Sequence, residues 1–191
     1  TFFWSGKPDS SPRCGGVGFA VANPAVKFMT GSPNSIRSRV ISLRIRFNKS
    51  VRAITFISVY APTFLSKQSE KIEFYNDLQR AVDEVAHGDL LIVMGDFNAR
   101  VGTDWHTWKN VIGSEGIDEV NDSGLSLLEF CTCNNLCITN TYYHHKLCHK
   151  ATWMHPRSKK FHQIDYIITR QRDRLLIPDT RVFHSIDVWS D

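Results

Sequence analysis

Hydrophobic residues in this chain repeat with two different periods, which predict strands in some stretches and helices in others. Apolar and polar residues alternate strictly over residues 40–47, with Ser42, Arg44 and Arg46 on one face, as is typical of a half-buried strand. An apolar stretch over 53–60 follows after a short polar turn, so these two strands are predicted to form an antiparallel hairpin. Further strands are predicted over residues 15–21, 136–139, 151–154, 163–169 and 180–188.

Apolar residues at helical spacing predict two longer helices. The first spans residues 69–87 and precedes Gly88, which suits a C-terminal cap. The second begins after a cap at Asp122 or Ser123. Strand pairs in series, with few helices between them, predict two packed sheets flanked by helices, which is a layered α/β arrangement.

The stretch over residues 90–100, Leu-Leu-Ile-Val-Met-Gly-Asp-Phe-Asn-Ala-Arg, carries the first candidate chemistry. Its apolar start has no periodicity and predicts a strand buried on both faces. Strand alternation places Asp96 and Asn98 on one side and Phe97 on the other. A buried carboxylate is costly unless a metal, proton or ligand meets it, so we interpret the pair as part of a site. The alternative is a turn in which both side chains only bond local backbone.

Two further polar residues belong with this interpretation. Asp165 is a lone carboxylate inside the apolar strand predicted over 163–169, and burial there requires a partner for it. Tyr60 closes the strand over 53–60, directly before an Ala-Pro pair. Its alternative role is that of a core or rim aromatic, the commoner fate of a tyrosine.

Composition and charge narrow the class of protein. The 191 residues, 42% hydrophobic and 22% charged, suit one globular domain. The net charge of +4 permits a polyanionic partner without requiring one. The five cysteines, and the run that contains His144, His145, Cys148 and His149, show no zinc spacing, so free thiols in a reducing compartment are expected. No apolar run reaches membrane-spanning length, and no signal peptide is visible.

Several short motifs follow one another along the chain. They are VYAPT at residues 59–63, MGDFNA at 94–99, QIDYI at 163–167 and WSD at 189–191. In this order they resemble the endonuclease/exonuclease/phosphatase superfamily, whose fold DNase I and abasic-site endonucleases share. A second set is DSGLSLLEFC at 122–131, NL at 135–136, TNT at 139–141 and KATW at 150–153. It is similar to endonuclease domains of non-LTR retrotransposons and to craniofacial development protein 2-like sequences.

The resemblance covers nearly the whole chain and implies both a fold and a set of roles. The implied fold is a four-layered, DNase I-like α/β sandwich of two mainly antiparallel sheets packed face to face with helices outside. Tyr60 would donate its hydroxyl to the scissile phosphate. Asp96 would orient the attacking water or protonate the leaving oxygen, and Asn98 would hold a phosphate oxygen. Asp165 would orient a catalytic histidine, and Asp191 would bind the metal.

The implied cofactor is Mg²⁺ or Mn²⁺ and the implied substrate is DNA. Phosphodiester cleavage needs a positioned water, a divalent cation and donors aimed at the phosphoryl oxygens. Mg²⁺ prefers few carboxylates, which fits scattered Asp and Asn residues. Thr152, Arg170 and Arg172 are further substrate-binding candidates. The arginines at 170, 172 and 174 follow the strand of Asp165 and suit a phosphate backbone. The arginines at 37, 39, 44 and 46 line either a DNA track or a solvated face.

The resemblance implies a DNA-nicking endonuclease of the retrotransposon type that is intracellular and nuclear, monomeric as an isolated domain, free of membrane, and joined to a reverse transcriptase in a full element. The family's metal-binding glutamate lies upstream of the position of Thr1, and its catalytic histidine directly follows Asp191. The chain is therefore expected to be a single domain, truncated at both ends, with weak or no activity. Two alternatives stay open: a phosphatase or phosphodiesterase acting on another phosphate ester, and a non-catalytic copy that binds DNA or protein.

Overall fold

Ten strands and three α-helices order the part of the chain that the computed structural model describes, which is residues 1–6 and 15–183. The strands are β1 (Phe2–Gly6), β2 (Gly16–Ala20), β3 (Asn34–Arg37), β4 (Val40–Ile45), β5 (Ile54–Tyr60), β6 (Leu90–Asp96), β7 (Leu136–Ile138), β8 (Trp153–Met154), β9 (Phe161–His162) and β10 (Asp165–Arg170). The helices are α1 (Asn23–Val26), α2 (Gln68–Asp83) and α3 (Asp122–Cys133). Short 3₁₀ turns span Thr139–Thr141, Leu147–His149 and Gln171–Leu176.

A six-stranded mixed sheet forms the centre of the molecule, in the order β3-β4-β5-β6-β10-β7. The β5–β6 pair is parallel and the other neighbours are antiparallel, which includes the predicted β4–β5 hairpin. In the described part, β1 with β2 and β8 with β9 form two smaller antiparallel pairs. These mixed sheets with their helices confirm the predicted α/β sandwich fold.

Gly95 explains why the apolar strand β6 ends in a glycine before its polar residues. Its φ of +142° is a conformation that side chains disfavour, and a Cβ there would lie 2.0 Å from the carbonyl oxygen of Val59. The absence of a side chain thus lets the ends of β5 and β6 approach closely. Tyr60 and Asp96, the next residues, are consequently register partners on neighbouring strands.

The two longer helices differ from prediction mainly at their ends. Helix α2 ends at Asp83, because the following residues turn back on the chain, where the N–H of Val85 donates to the carbonyl of Val82. Helix α3 is capped by Asn121 rather than by Asp122 or Ser123. The Asn121 side chain accepts the N–H of Gly124 at 2.8 Å, which satisfies one of the first amides of the helix.

Both helices bury an apolar face against the central sheet. Phe74 and Leu78 of α2 and Leu127 and Leu128 of α3 are fully buried in the same hydrophobic cluster as Leu91 of β6. Each such side chain contributes about 2 kcal/mol through removal of apolar surface from water. The packing fixes the position of β6, and with it the position of the polar residues at its end.

Several other sequence predictions met different outcomes. The strand predicted over 151–154 is limited to β8, and residues 180–183 form no strand, while the rest of the 180–188 prediction lies outside the described residues.

Arg44 neither lines a DNA track nor lies on a freely solvated face, because its guanidinium donates to both carboxylate oxygens of buried Asp89, at 2.6 and 2.9 Å. The four described cysteines are free thiols. Across residues 1–6 and 15–183, no helix is long and apolar enough to cross a membrane.

Candidate active site

Three strands bring their polar residues to one edge of the central sheet. Asp96 ends β6, Tyr60 ends the parallel neighbour β5, and Asp165 begins the antiparallel neighbour β10. Tyr60 and Asp165 are both register partners of Asp96, one on each side. Three residues that lie far apart in sequence are therefore placed side by side by strand pairing alone.

The Asp96 carboxyl is partly buried and poorly compensated. Burial raises its pKa to about 6, the Asn98 backbone N–H opposes the rise by donating to Oδ1 at 2.7 Å, and the neighbouring Asp165 adds to it. Within the described residues, no Lys, Arg or His forms an ion pair with Asp96. Such an acid favours a proton or a cation beside it.

Asn98 reaches the same place as Asp96, but by a turn and not by strand alternation. Its φ of +47° lies in the left-handed region, which asparagine tolerates, and this turn directs its N–H onto Asp96. Its side-chain Nδ2 donates to the carbonyl of Ala61 at 2.9 Å, and the Ala61 N–H donates to the carbonyl of Asp96 at 2.8 Å. These bonds lock β5 to the turn and leave the amide Oδ1 and one N–H available.

Asp165 is anchored by Thr152, one of the predicted substrate-binding residues. The Thr152 hydroxyl oxygen accepts the N–H groups of Ile164 and Asp165, at 3.0 and 3.2 Å. Burial raises the pKa of the Asp165 carboxyl, and a hydrogen bond from the Thr152 side chain partly opposes this. Thr152 is thus brought to the site, where its contacts are to the strand that carries Asp165.

Tyr60 lies under an arginine at the rim. The guanidinium carbon of Arg39 is 5.3 Å from the centre of the Tyr60 ring, and Arg39 Nη1 donates to the Tyr60 carbonyl at 3.2 Å. A cation over an aromatic face is favourable, and the arrangement fixes the ring at the end of β5.

Tyr60, Asp96 and Asn98 line an open cleft of about 840 Å³, and Asp165 is the register partner of Asp96. One wall is the loop with Phe64 and Leu65, which are 60% and 90% exposed. Another wall is aromatic, with Trp153 stacked on His162 and their ring centroids 5.9 Å apart. Sequence reasoning had no signal for Phe64, Leu65 or His162 as wall residues, because neither wall belongs to a periodic element. Trp153 is the last residue of the KATW motif, in which only Thr152 was predicted to bind substrate.

Other sequence candidates lie elsewhere. Arg170 is about 16 Å along β10 from Asp165, at about 3.3 Å per residue. It donates to the carbonyls of Asp89 and Val85, and Arg172 donates to the carbonyl of His87, all at the opposite end of the sheet. Neither arginine is brought to the cleft, because β10 runs away from it. Asp191 lies outside the described residues.

The oxygen-rich donor set formed by Asp96, Asp165 and Asn98 at this edge of the sheet fits a hard divalent cation. Two partly buried carboxylates and one amide oxygen suit Mg²⁺, which is held by one or two carboxylates while keeping several waters. Within the described residues no group of three or more His, Cys, Asp or Glu is arranged to hold a metal. The histidines at 144, 145 and 149 contact Glu115, Asp179 and the carbonyl of Val182 respectively.

Sequence comparison finds relatives of one kind. No protein-family model matches the chain. Craniofacial development protein 2 of Bos taurus is 35% identical over 181 residues, which cover 95% of this chain and 30% of that protein. The Tragulus javanicus protein of the same name is 35% identical over 158 residues, covering 83% of this chain and 27% of its length. The chain thus spans less than a third of the curated relatives it matches.

Structural comparison finds the same fold in several solved proteins. The endonuclease domain of TRAS1, a telomere-specific non-LTR retrotransposon, matches with a TM-score of 0.61 and 15% identity, over 90% of this chain and 67% of that one. An AP endonuclease from Leishmania major matches with a TM-score of 0.53 and 12% identity, over 91% of this chain and 63% of that one. The 3′ phosphatase NExo from Neisseria matches with a TM-score of 0.51 and 18% identity, over 74% of this chain and 56% of that one. The chain is therefore a homologue of part of craniofacial development protein 2, with the fold of the endonuclease/exonuclease/phosphatase superfamily.

Proposed function

We propose that this chain carries the catalytic cleft of a divalent-metal-dependent hydrolase that nicks DNA at a phosphodiester bond. The observation that carries the proposal is the pairing of Asp96 with Asp165 across β6 and β10, with both carboxyl pKa values raised and no cationic side chain on either among the described residues. Folding alone gains nothing from two buried carboxyls side by side. Two adjacent carboxyls are favourable, by contrast, in a site that binds a cation and a phosphate.

The side chains supply complementary chemistry in the proposed reaction. A divalent cation, when bound by Asp96 and Asn98, would neutralise charge on the phosphoryl oxygens. Asp96 would orient the attacking water or protonate the leaving oxygen. Asn98 would hold a phosphate oxygen through its remaining N–H or face the cation through Oδ1, since its other N–H is committed to Ala61. Tyr60 would donate its hydroxyl to the phosphate.

The roles of the remaining residues follow from the same proposal. Asp165 would orient the catalytic histidine that the family carries directly after the position of Asp191. Thr152 would position Asp165 through the bonds to its strand. Arg170 and Arg172 take no part, because they lie at the far end of the sheet. DNA is the proposed substrate since the comparison includes two endonucleases and a phosphatase solved with product DNA. The retrotransposon type, linkage to a reverse transcriptase and a nuclear location belong to the same proposal.

The test is nicking of supercoiled plasmid by the protein that carries this chain, with Mg²⁺ and with EDTA. Conversion to the open circle is expected with Mg²⁺ alone. Asp96→Asn is expected to lower the rate at least about 100-fold, since one electrostatic catalytic group is typically worth that much. The matched control is Asp83→Asn, at an exposed carboxyl on α2, which is expected to leave the rate unchanged. Release of phosphate from soluble esters without nicking would favour the phosphatase alternative instead.

A further inference from the structure

A second concave surface lies beside the edge strand β7, away from the candidate active site. It is a cleft of about 730 Å³ between the segment that follows β6, the residues after β7 and the 3₁₀ turn Gln171–Leu176. We call it the lateral cleft and define it by Trp105, Lys109, Tyr142 and Arg174. It shares no lining residue with the cleft of Asp96.

The lateral cleft is positively charged. Lys109 and Arg174 line it, and the lining contains no Asp or Glu. Of the neighbouring carboxylates, Asp173 is paired with Arg52 at 2.9 Å, and Asp104 accepts the N–H of Thr107 at 3.1 Å but keeps its charge. Within the described residues, neither lining cation forms an ion pair. Two uncompensated cations in one concavity favour an anionic ligand.

Aromatic rings lie beside these two cations. Residue Trp105 is 40% exposed, and its indole rests on the His106 ring, with centroids 3.8 Å apart and planes 30° apart. The Arg174 guanidinium lies 4.7 Å from the centre of the Tyr142 ring, which holds this cation in place. An open indole next to fixed positive charge suits a ligand with both a flat ring and a negative group.

A third cleft, whose lining includes Arg170 and Arg172, lies next to the lateral cleft and helps to identify the ligand of the lateral cleft. That cleft, of about 860 Å³, has Asp83 and Glu84 in its lining, and its two arginines are engaged by backbone carbonyls. It therefore offers an anion no net attraction. The lateral cleft differs in charge and in its exposed indole, although the two are of similar size.

We propose that the lateral cleft binds a nucleotide, with the phosphate on Lys109 and Arg174 and the base stacked on Trp105. Its volume falls within the range of about 300–1,000 Å³ typical of small-molecule sites. Asn110, Ser114 and Gln171 supply neutral hydrogen-bonding groups around the base and sugar. The same chemistry is offered by a free mononucleotide and by one nucleotide of a single strand. The site is independent of catalysis at Asp96.

The test measures binding in EDTA with two probes, AMP by calorimetry and a fluorescein-labelled ten-nucleotide thymidine strand by anisotropy. Arg174→Gln and Lys109→Gln are each expected to weaken binding about tenfold, since each removes a charge-assisted contact to phosphate. Trp105→Ala is expected to weaken it at least about fivefold through lost stacking. The controls Lys49→Gln and Trp4→Ala, at exposed positions outside the cleft, should change binding less than about twofold.

Binding of AMP with an affinity like that of the strand supports a free nucleotide, and binding of the strand alone supports a polynucleotide. The proposal is overturned if neither probe binds, or if Arg174→Gln and Lys109→Gln both leave the affinity unchanged. Ultraviolet crosslinking of 5-iododeoxyuridine monophosphate gives the location. The adduct is expected on the peptide with Trp105 or Tyr142, and an adduct confined to Trp153 would place the nucleotide in the other cleft.

Discussion

Replacing Asp96 with asparagine is expected to stabilise the folded protein at neutral pH. The side chains have nearly the same shape, and an asparagine Oδ1 still accepts the Asn98 N–H that donates to Asp96 at 2.7 Å. What changes is the charge. The pKa of Asp96 rises from 3.8 to about 6 because burial and Asp165 both disfavour the ionised form. The folded state therefore opposes an ionisation that the unfolded chain accepts freely.

The direction and size of the effect follow from that pKa. Because the folded state binds the proton more tightly, the protonated carboxyl contributes its full stability below about pH 4, and this is lost as pH rises through about 6. A rise from 3.8 to about 6 corresponds to at most about 3 kcal/mol. Solvent at the open cleft screens part of it, so about 1–2 kcal/mol is expected at pH 7.

The assay is urea unfolding of both proteins in EDTA at several values from pH 4 to pH 8. The free energy of unfolding of Asp96→Asn should match the parent near pH 4 and exceed it by about 1–2 kcal/mol at pH 7. Asp83→Asn, at an exposed helix position, should differ by less than about 0.5 kcal/mol throughout. A gain of equal size at pH 4 and pH 7, or a loss of stability at pH 7, would refute the electrostatic reasoning.

Two further predictions concern the same end of the sheet. Gly95→Ala should lower the free energy of unfolding in urea by more than about 3 kcal/mol, since its Cβ would lie 2.0 Å from the Val59 oxygen. The control Gly88→Ala, whose Cβ would have no atom within 4 Å, should change it by less than about 1 kcal/mol. Equal effects of the two substitutions would contradict the close-approach argument. Adding Mg²⁺ should raise the melting temperature of the parent protein by a few degrees, through binding to the folded state alone, and should leave Asp96→Asn unshifted; an equal shift in both would place the ion elsewhere.

The sequence predicted those features of the fold that depend on local periodicity. The β4–β5 hairpin and helices α2 and α3 were readable because apolar residues recur at fixed spacing over many positions. Strands β1 and β3 were missed, since each is short and mostly exposed and carries no alternation that distinguishes it from a loop. The cap at Asn121 was missed because its side chain also accepts the N–H of Arg100 at 3.0 Å, a contact between distant residues.

The candidate site was partly readable for a different reason. Asp96 and Asp165 each interrupt an apolar run, and an interruption of that kind is visible in one sequence without knowledge of the fold. That they face each other depends on the register of β6 against β10, which no local pattern encodes. Asn98 was predicted beside Asp96 for the wrong reason, because a left-handed turn and not alternation brings it there.

The arginines show where local reasoning about charge fails. Arg170 follows the strand of Asp165 in sequence, and adjacency suggested a shared phosphate-binding role. The six residues of β10 separate its two ends by the whole length of the strand, however. Asp165 therefore lies beside Asp96, while Arg170 bonds to the carbonyl of Asp89 at 2.8 Å. Conversely, Lys109 and Arg174 lie 65 positions apart in sequence yet line one cleft. Charge therefore indicates a binding surface only after the fold has shown which charges are already committed to the protein itself.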